Sequence, residues 1–369
     1  MQQAGLSDAA VADAAVAPAA PQRRRGLELG AMIGIGVLLA AAIAAGFASL
    51  YREFWGPSAF AERYVQLIAD GRAADALAVA GVAVDTAELE AAGLPTYAHD
   101  ALLRSAALEQ PVTDIEAVSE RALDGATEVT VRYRIDGTAG QTVFRVASAG
   151  WTGLVPAWQF ASSPFAVLDV SVHGSMRFSV NGFELDKRQV SPDGVEADPA
   201  EAVSLLVFAP MAYDIAVDTP TTTAEPVRTT VDQPLTAFPA EVQAQPTSEF
   251  LDVVHQQVET FLVDQCASQQ VLQPAGCPFW VSLENRLAYG SVPTWSIVQL
   301  PEIRLVPDGA YWSIAEADGL AHIEMDVQSI ATGAITHVSE DVPFTIDGTV
   351  DILADGSAQI RIGAPLLDR

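Results

Sequence analysis

Between Leu29 and Leu50 the chain runs for 22 residues without a charge (LGAMIGIGVLLAAAIAAGFASL). As a helix rising about 1.5 Å per residue, such a run measures about 33 Å, enough to cross the hydrocarbon core of a bilayer. The sequence therefore predicts one membrane-spanning helix. Arg23, Arg24 and Arg25 stand before the run and only Arg52, beside Glu53, follows it. Positive residues stay on the cytoplasmic side, so the expectation is a single-pass protein of the plasma membrane, N-terminus inside and C-terminal ectodomain outside. Tyr51, Phe54 and Trp55 fall where amphipathic rings favour the outer headgroup layer. The competing reading is a cleaved signal peptide, because Gly46-Phe47-Ala48 resembles a small-x-small cleavage site. The anchored reading is preferred because the apolar run exceeds the usual signal-peptide core of roughly 7 to 15 residues.

Charge restricts the partners. The chain holds 47 acidic and 19 basic residues, for a formal net charge of -28. Residues 51–369 contain 16 of the basic and 44 of the acidic residues, so the whole excess lies beyond the apolar run. The only lysine is Lys187, and a phosphate backbone needs clustered Lys and Arg, so nucleic-acid binding is excluded. Residues 1–22 are rich in alanine and carry no periodic large residues, which predicts a disordered cytoplasmic tail. Residues 23–56 are then the anchor and its flanks.

Three segments follow. In the first, 57–160, Pro57-Ser58 offers a helix start, and Phe60, Tyr64, Leu67 and Ile68 make one helical stripe. The period then changes to two: Val129, Val131, Tyr133 and Ile135 alternate with polar residues before the turn DGTAG, 136–140. An α+β unit is expected. The second segment, 161–240, has no helical period. Phe178 and Val180 precede Asn181-Gly182, a hairpin dipeptide, and Tyr213, Ile215 and Val217 alternate with Asp214, Ala216 and Asp218; a small β-sandwich is expected. A proline-rich linker leads to the third segment, 247–369. There Phe250, Val254, Val258 and Phe261 form a helical stripe, and strands such as Ile323-Met325-Val327 come after, giving a second α+β unit.

The stretch SAFAERYVQLIADGRAADALAVA, 58–80, resembles the first helices of extracytoplasmic NTF2-like or cystatin-like domains in actinobacterial single-pass membrane proteins. SVNGFELD, 179–186, and VFAPMAYDIAVD, 207–218, resemble small envelope β-domains, with Met211 where that family carries a glycine. The resemblance implies a cell-envelope binding or scaffold role and no known reaction.

Cys266 and Cys277 lie close together in the expected ectodomain, and an oxidising compartment favours their disulfide; free thiols are the alternative. Trp151, Trp158 and Phe160 are candidates to line a pocket on the sheet of an NTF2-like unit, against a core role. Asp252, His255 and Glu259 fall on one helical face, His322, Glu324 and Asp326 on one strand face, and Asp193, Glu196 and Asp198 in one acidic loop. Each set offers a divalent-cation reading beside a plain solvated one. His173 with Asp169, and His99 with Asp100 and Ser105, lack a nucleophile-elbow context. No catalytic residue, metal ligand or cofactor is assigned. The chain is expected to be a non-enzymatic module that binds an envelope protein or wall component, with divalent-cation bridging as one means. An enzyme or ligand binder with an NTF2-like pocket, and a structural spacer, are the alternatives.

Overall fold

The computed structural model describes residues 22–108, 111–153, 155–309, 311–352 and 358–362. Strand makes up 46% and helix 24% of the structure, and the longest helix, α1, Gln22–Trp55, accounts for much of the helical share. Beyond it the structure is mainly β, built from several sheets, which corrects the expected series of α+β, β-sandwich and α+β units. Two compact units are formed, Met1–Gly56 and Pro57–Arg369.

In the first unit, the side chains described within α1 run from Ala31 to Gly46, apart from Ala44, and from Glu53 to Trp55. Among the described residues no helix is long and apolar enough to cross a membrane. The expected transmembrane helix, and with it the single-pass membrane assignment, is therefore not upheld. The tail before Gln22 and the side chains of the arginine triplet lie outside the described residues.

The second unit opens with α2, Pro57–Ala69, then the short α3, Ala73–Leu77, and α4, Thr86–Ala91. A four-stranded antiparallel meander follows: β1, Val112–Leu123, β2, Ala126–Ile135, β3, Thr138–Thr152, and β4, Val155–Phe160. The β2–β3 turn is Asp136-Gly137, both at positive φ, the conformation a two-residue hairpin needs. Helix α2 lays Tyr64, Val65 and Ile68 on the face carrying Val129, Val131, Tyr133, Phe144 and Val146. β1 is polar and mostly exposed. It is held by cross-strand pairs, Arg132 with Glu116 at 2.5 Å and Arg121 with Glu128, and by Glu62 accepting from the Ala117 N–H at 2.6 Å.

Next come β5, Phe165–His173, β6, Arg177–Val180, β7, Phe183–Asp186, the single turn α5, Lys187–Val190, β8, Val203–Phe208, β9, Met211–Asp218, β10, Thr222–Val231, β11, Ala237–Gln243, and β12, Gln245–Pro246. They build a five-stranded sheet, β12-β10-β9-β6-β7, and a three-stranded one, β11-β5-β8. β5 pairs in parallel with β11, and β8 is buried along its whole length, the mark of a strand covered on both faces. One cover comes from α4 and the segment after it, where Leu89 and Leu94 pack on Val167 and Leu206, while His99 pairs with the edge of β8, donating its N–H to Ser204 and accepting from Leu206, both at 2.9 Å. One hydrophobic core consequently runs from Ala61 to Ala244, across the expected boundary at 160. Asn181 pins it, donating from its side chain to the carbonyls of Ala107 and Ala212 and accepting from the Asp214 N–H.

A second core lies beyond residue 247. α6, Ser248–Thr260, is capped by Thr247, whose hydroxyl accepts from the Phe250 N–H at 3.2 Å, and buries Phe250, Val254 and Val258. A six-stranded sheet covers that stripe: β13, Arg286–Leu287, β14, Thr294–Gln299, β15, Leu305–Asp308, β16, Tyr311–Gln328, β17, Ile335–Ile352, and β18, Ala358–Ile362. β16 is a single 18-residue strand with a bulge between Ile314 and Ala317. Gly319 is required opposite Phe344, whose ring occupies the space a Cβ would take. Trp312, Phe279, Trp295 and Phe344 fill the interior.

Candidate functional site

The middle of β16 alternates between buried and outward-facing residues. Ala321, Ile323, Met325 and Val327 are buried, so His322, Glu324 and Asp326 share the outer face. Antiparallel register sets His322 opposite Asp341, Glu324 opposite Ser339 and Asp326 opposite His337. On the other side of β16, Ser296 of β14 pairs with His322 and Thr294 with Glu324. The result is an outer face of imidazoles, carboxylates and hydroxyls.

Two hydrogen bonds organise its centre. His322 Nδ1 lies 2.6 Å from Asp341 Oδ1, and its Nε2 lies 3.1 Å from Ser339 Oγ. Glu324 Oε1 is 3.7 Å from the same Nε2. The His322 side chain is only 24% exposed, against 58% for Asp341, so the imidazole is packed while its partners reach solvent. His337 makes a second pair, Nδ1 to Asp326 Oδ1 at 2.9 Å. A cation site at His322, Glu324 and Asp326 is not what forms: both nitrogens of His322 are engaged across the β16–β17 ladder. Among the described residues no group of three or more His, Cys, Asp or Glu side chains is arranged to hold a metal. Ser339 and Asp341 escaped the sequence reading because only the strand register brings them to His322.

The other candidates separate. His255 Nε2 sits 3.2 Å from the Ile303 carbonyl. Asp198 accepts from the Ala200 N–H at 2.8 Å, Asp169 accepts from the Ser204 hydroxyl at 2.6 Å, and His99 Nδ1 accepts from the Ala101 N–H at 3.1 Å; these are local ties. Trp151 is 68% exposed on the β3–β4 hairpin, Trp158 is half-buried against the core, and Phe160 is inside it. The Phe160 ring packs at 4.8 Å on Tyr64 and 5.0 Å on Phe60. The three therefore occupy three environments.

A cleft of about 550 Å³ opens at the β6–β7 hairpin, between Arg177, Glu184, Asp186, Gln189 and Asp218. Burial pushes the Asp186 carboxyl up, but the hydrogen bonds and charge of Arg188 and the charge of Arg177 outweigh it and hold it below the usual range. Arg188 reaches both carboxylate oxygens, at 2.8 and 2.6 Å. Those bonds occupy the cleft's main charge internally. Beside it Lys187 is fully buried. Its Nζ donates to the carbonyls of Val172 at 2.9 Å, Glu201 at 3.2 Å and Pro199, tying the acidic 191–201 loop to β5. Burial pushes the ammonium down to about 8, with the Asp198 charge opposing.

Cys266 and Cys277 are joined, with sulfurs 2.12 Å apart. Cys266 is buried in the same core as Trp295, whose indole N–H donates to the Val271 carbonyl inside the closed loop. Closing a loop of this size limits the unfolded chain by about 3 kcal/mol in the chain-entropy account. Cys266→Ser with Cys277→Ser is expected to lower the denaturant midpoint of the full chain accordingly; an unchanged midpoint would show the bridge to be energetically idle.

In comparisons with known proteins, no family model, curated protein or solved structure matches the chain. The resemblance to NTF2-like, cystatin-like and envelope β-domains is thus not upheld.

Proposed function

We propose that this protein is an extracytoplasmic binding module whose acidic C-terminal sheet engages a cationic protein surface. The observation that supports this most is where its positive charge goes. Arg72, Arg121, Arg132, Arg134, Arg145, Arg177, Arg188 and Arg228 are each paired with a carboxylate of the chain itself, and Lys187 is buried. All those pairs lie before residue 247. Beyond it, among the described residues, carboxylates are paired only with His322 and His337, and Arg286 and Arg361 donate to Gln328 and Gln359. The C-terminal sheet therefore presents uncompensated negative charge, which steers a basic partner and repels anionic polymers. The disulfide favours an oxidising compartment.

The test is association of the full chain with an immobilised arginine-rich peptide, followed against salt and chelator. Association is expected to slow by about tenfold or more between low salt and roughly 0.5 M, to survive EDTA, and to weaken in a Glu316→Gln, Asp318→Asn double variant, both residues being exposed on β16. Release by EDTA would replace the direct contact with cation bridging. Binding that ignores salt would refute the charge-based reading.

A further inference from the structure

The outer face of β16 and β17 holds an arrangement that charge recognition does not use. Ser339 Oγ, His322 Nε2, His322 Nδ1 and Asp341 Oδ1 follow one another in a hydrogen-bonded line, with spacings of 3.1 Å and 2.6 Å. A carboxylate at 2.6 Å from Nδ1 places the imidazole proton there and leaves Nε2 as the acceptor facing the serine hydroxyl. We propose that Ser339 is an activated nucleophile, with His322 as its general base and Asp341 as the positioning residue, and that it takes up acyl or phosphoryl groups from activated esters.

Three features of the fold hold the line in place. His322 sits on a central strand, between β14 and β17, with its neighbours Ala321 and Ile323 fully buried, so its backbone position is fixed by the core. Ser339 and Asp341 are two residues apart on β17 and therefore project to the same face. Along this stretch β17 pairs only with β16 among the described residues, so Ser339 stands beside an open sheet edge and an electrophile can approach it. Glu340, between them, takes the core-facing register at that edge but stays exposed, a charge that discourages another strand from adding there.

With an alkyl fluorophosphonate the step is as follows. Ser339 Oγ bonds to phosphorus and the P–F bond breaks, releasing fluoride, while the hydroxyl proton passes to His322 Nε2. The resulting imidazolium is stabilised by Asp341 and later gives its proton to water. With a p-nitrophenyl ester, Oγ bonds to the acyl carbon and p-nitrophenolate leaves. The line itself supplies a base and the group that orients it but no oxyanion donor. Only good leaving groups should therefore react, and the expected event is a single transfer to Ser339 rather than rapid turnover.

The experiment treats the full chain with a fluorophosphonate and, separately, with p-nitrophenyl acetate, and locates the adduct by peptide mass spectrometry. Ser339 should be modified at least about tenfold faster than Ser296, an exposed serine on the same face paired with the same histidine. Modification should fall about a hundredfold in His322→Ala, disappear in Ser339→Ala, fall in Asp341→Asn and return in Asp341→Glu. Melting of the Ser339 and Asp341 variants, measured alongside, should stay near that of the parent because both residues are exposed. Labelling of Ser339 no faster than Ser296, or labelling indifferent to His322→Ala or to Asp341→Asn, overturns the proposal and leaves the line as cross-strand hydrogen bonding. Because these readouts do not involve a cationic partner, they fail or succeed independently of the binding function.

Discussion

Lys187→Met is expected to destabilise the protein by about 3–5 kcal/mol, measured by chemical denaturation at pH 7. The substituted side chain matches the length of the lysine stem but leaves the carbonyls of Val172, Pro199 and Glu201 without their donor. Hydrogen bonds to a charged group contribute roughly 1.5–3 kcal/mol each, and a buried acceptor left unsatisfied costs its full desolvation. Relief from burying an ammonium offsets part of that sum. The same residue sets a pH dependence whose sign follows from linkage. The folded ammonium titrates at about 8, below the 10.5 of an ordinary lysine. Below pH 8 it is protonated in both states; between about 8 and 10.5 the unfolded chain binds more protons, so the parent gains stability as pH rises through that window. The full shift corresponds to roughly 3 kcal/mol. Buried Tyr64, Tyr133 and Tyr213, all raised chiefly by burial, act the other way above about pH 10, when unfolded tyrosines begin to ionise. The difference between parent and Lys187→Met should thus grow from pH 8 towards 10; a difference that is flat or shrinking there would show that the three carbonyls hold the proton on.

The legible parts of this fold were those in which local chemistry and tertiary structure agree. Asn181-Gly182 marks a two-residue turn because both positions need positive φ, the turn expected over 136–140 closes more tightly, over Asp136-Gly137 with Thr138 already in β3, and the stripe Phe250, Val254, Val258 announces a one-sided helix. β1 was missed because VTDIEAVSERAL is polar and shows no clear alternation. Its strand conformation comes from pairing with β2 and from arginine–carboxylate partners on another strand, which no local pattern displays. Between α4 and β1 the chain makes the short turn Asp100–Leu102, and His99 bridges to Leu205 of β8. That bridge is also why the first two segments share a core. In the C-terminal sheet, the alternation at Ile323, Met325 and Val327 disclosed the face on which His322 lies. It did not disclose which residues of β17 stand opposite, because register is fixed by pairing over the whole 18-residue strand and by the bulge near Ile314.

Phe160→Ala is expected to cost about 3–5 kcal/mol, while Trp151→Ala should stay within about 0.5 kcal/mol of the parent. Both residues lie on the β3–β4 hairpin, and both were pocket candidates on sequence alone. The structure gives them opposite environments. Phe160 is the last residue of β4, where its N–H donates to the Ala80 carbonyl at 2.9 Å. Gly81 meets the Phe160 backbone so closely that a Cβ has no room, and its φ of +78° suits glycine besides. The Phe160 ring completes a cluster with Phe60, Tyr64 and Phe144, at 5.0, 4.8 and 5.6 Å, so its removal opens a void beneath α2 that the surrounding strands cannot close without losing their ladder. Tyr64 adds to the demand: its hydroxyl is buried without a hydrogen-bond partner, so the ring is retained there by packing against these neighbours. Trp151 shares none of this, its indole being 68% exposed. A ligand pocket lined by both would instead let either substitution weaken binding while leaving the melting temperature nearly untouched. Equal, small effects of the two substitutions on stability would therefore contradict the core assignment of Phe160, and a loss of several kcal/mol confined to Phe160→Ala would establish that this end of the meander holds α2 in place.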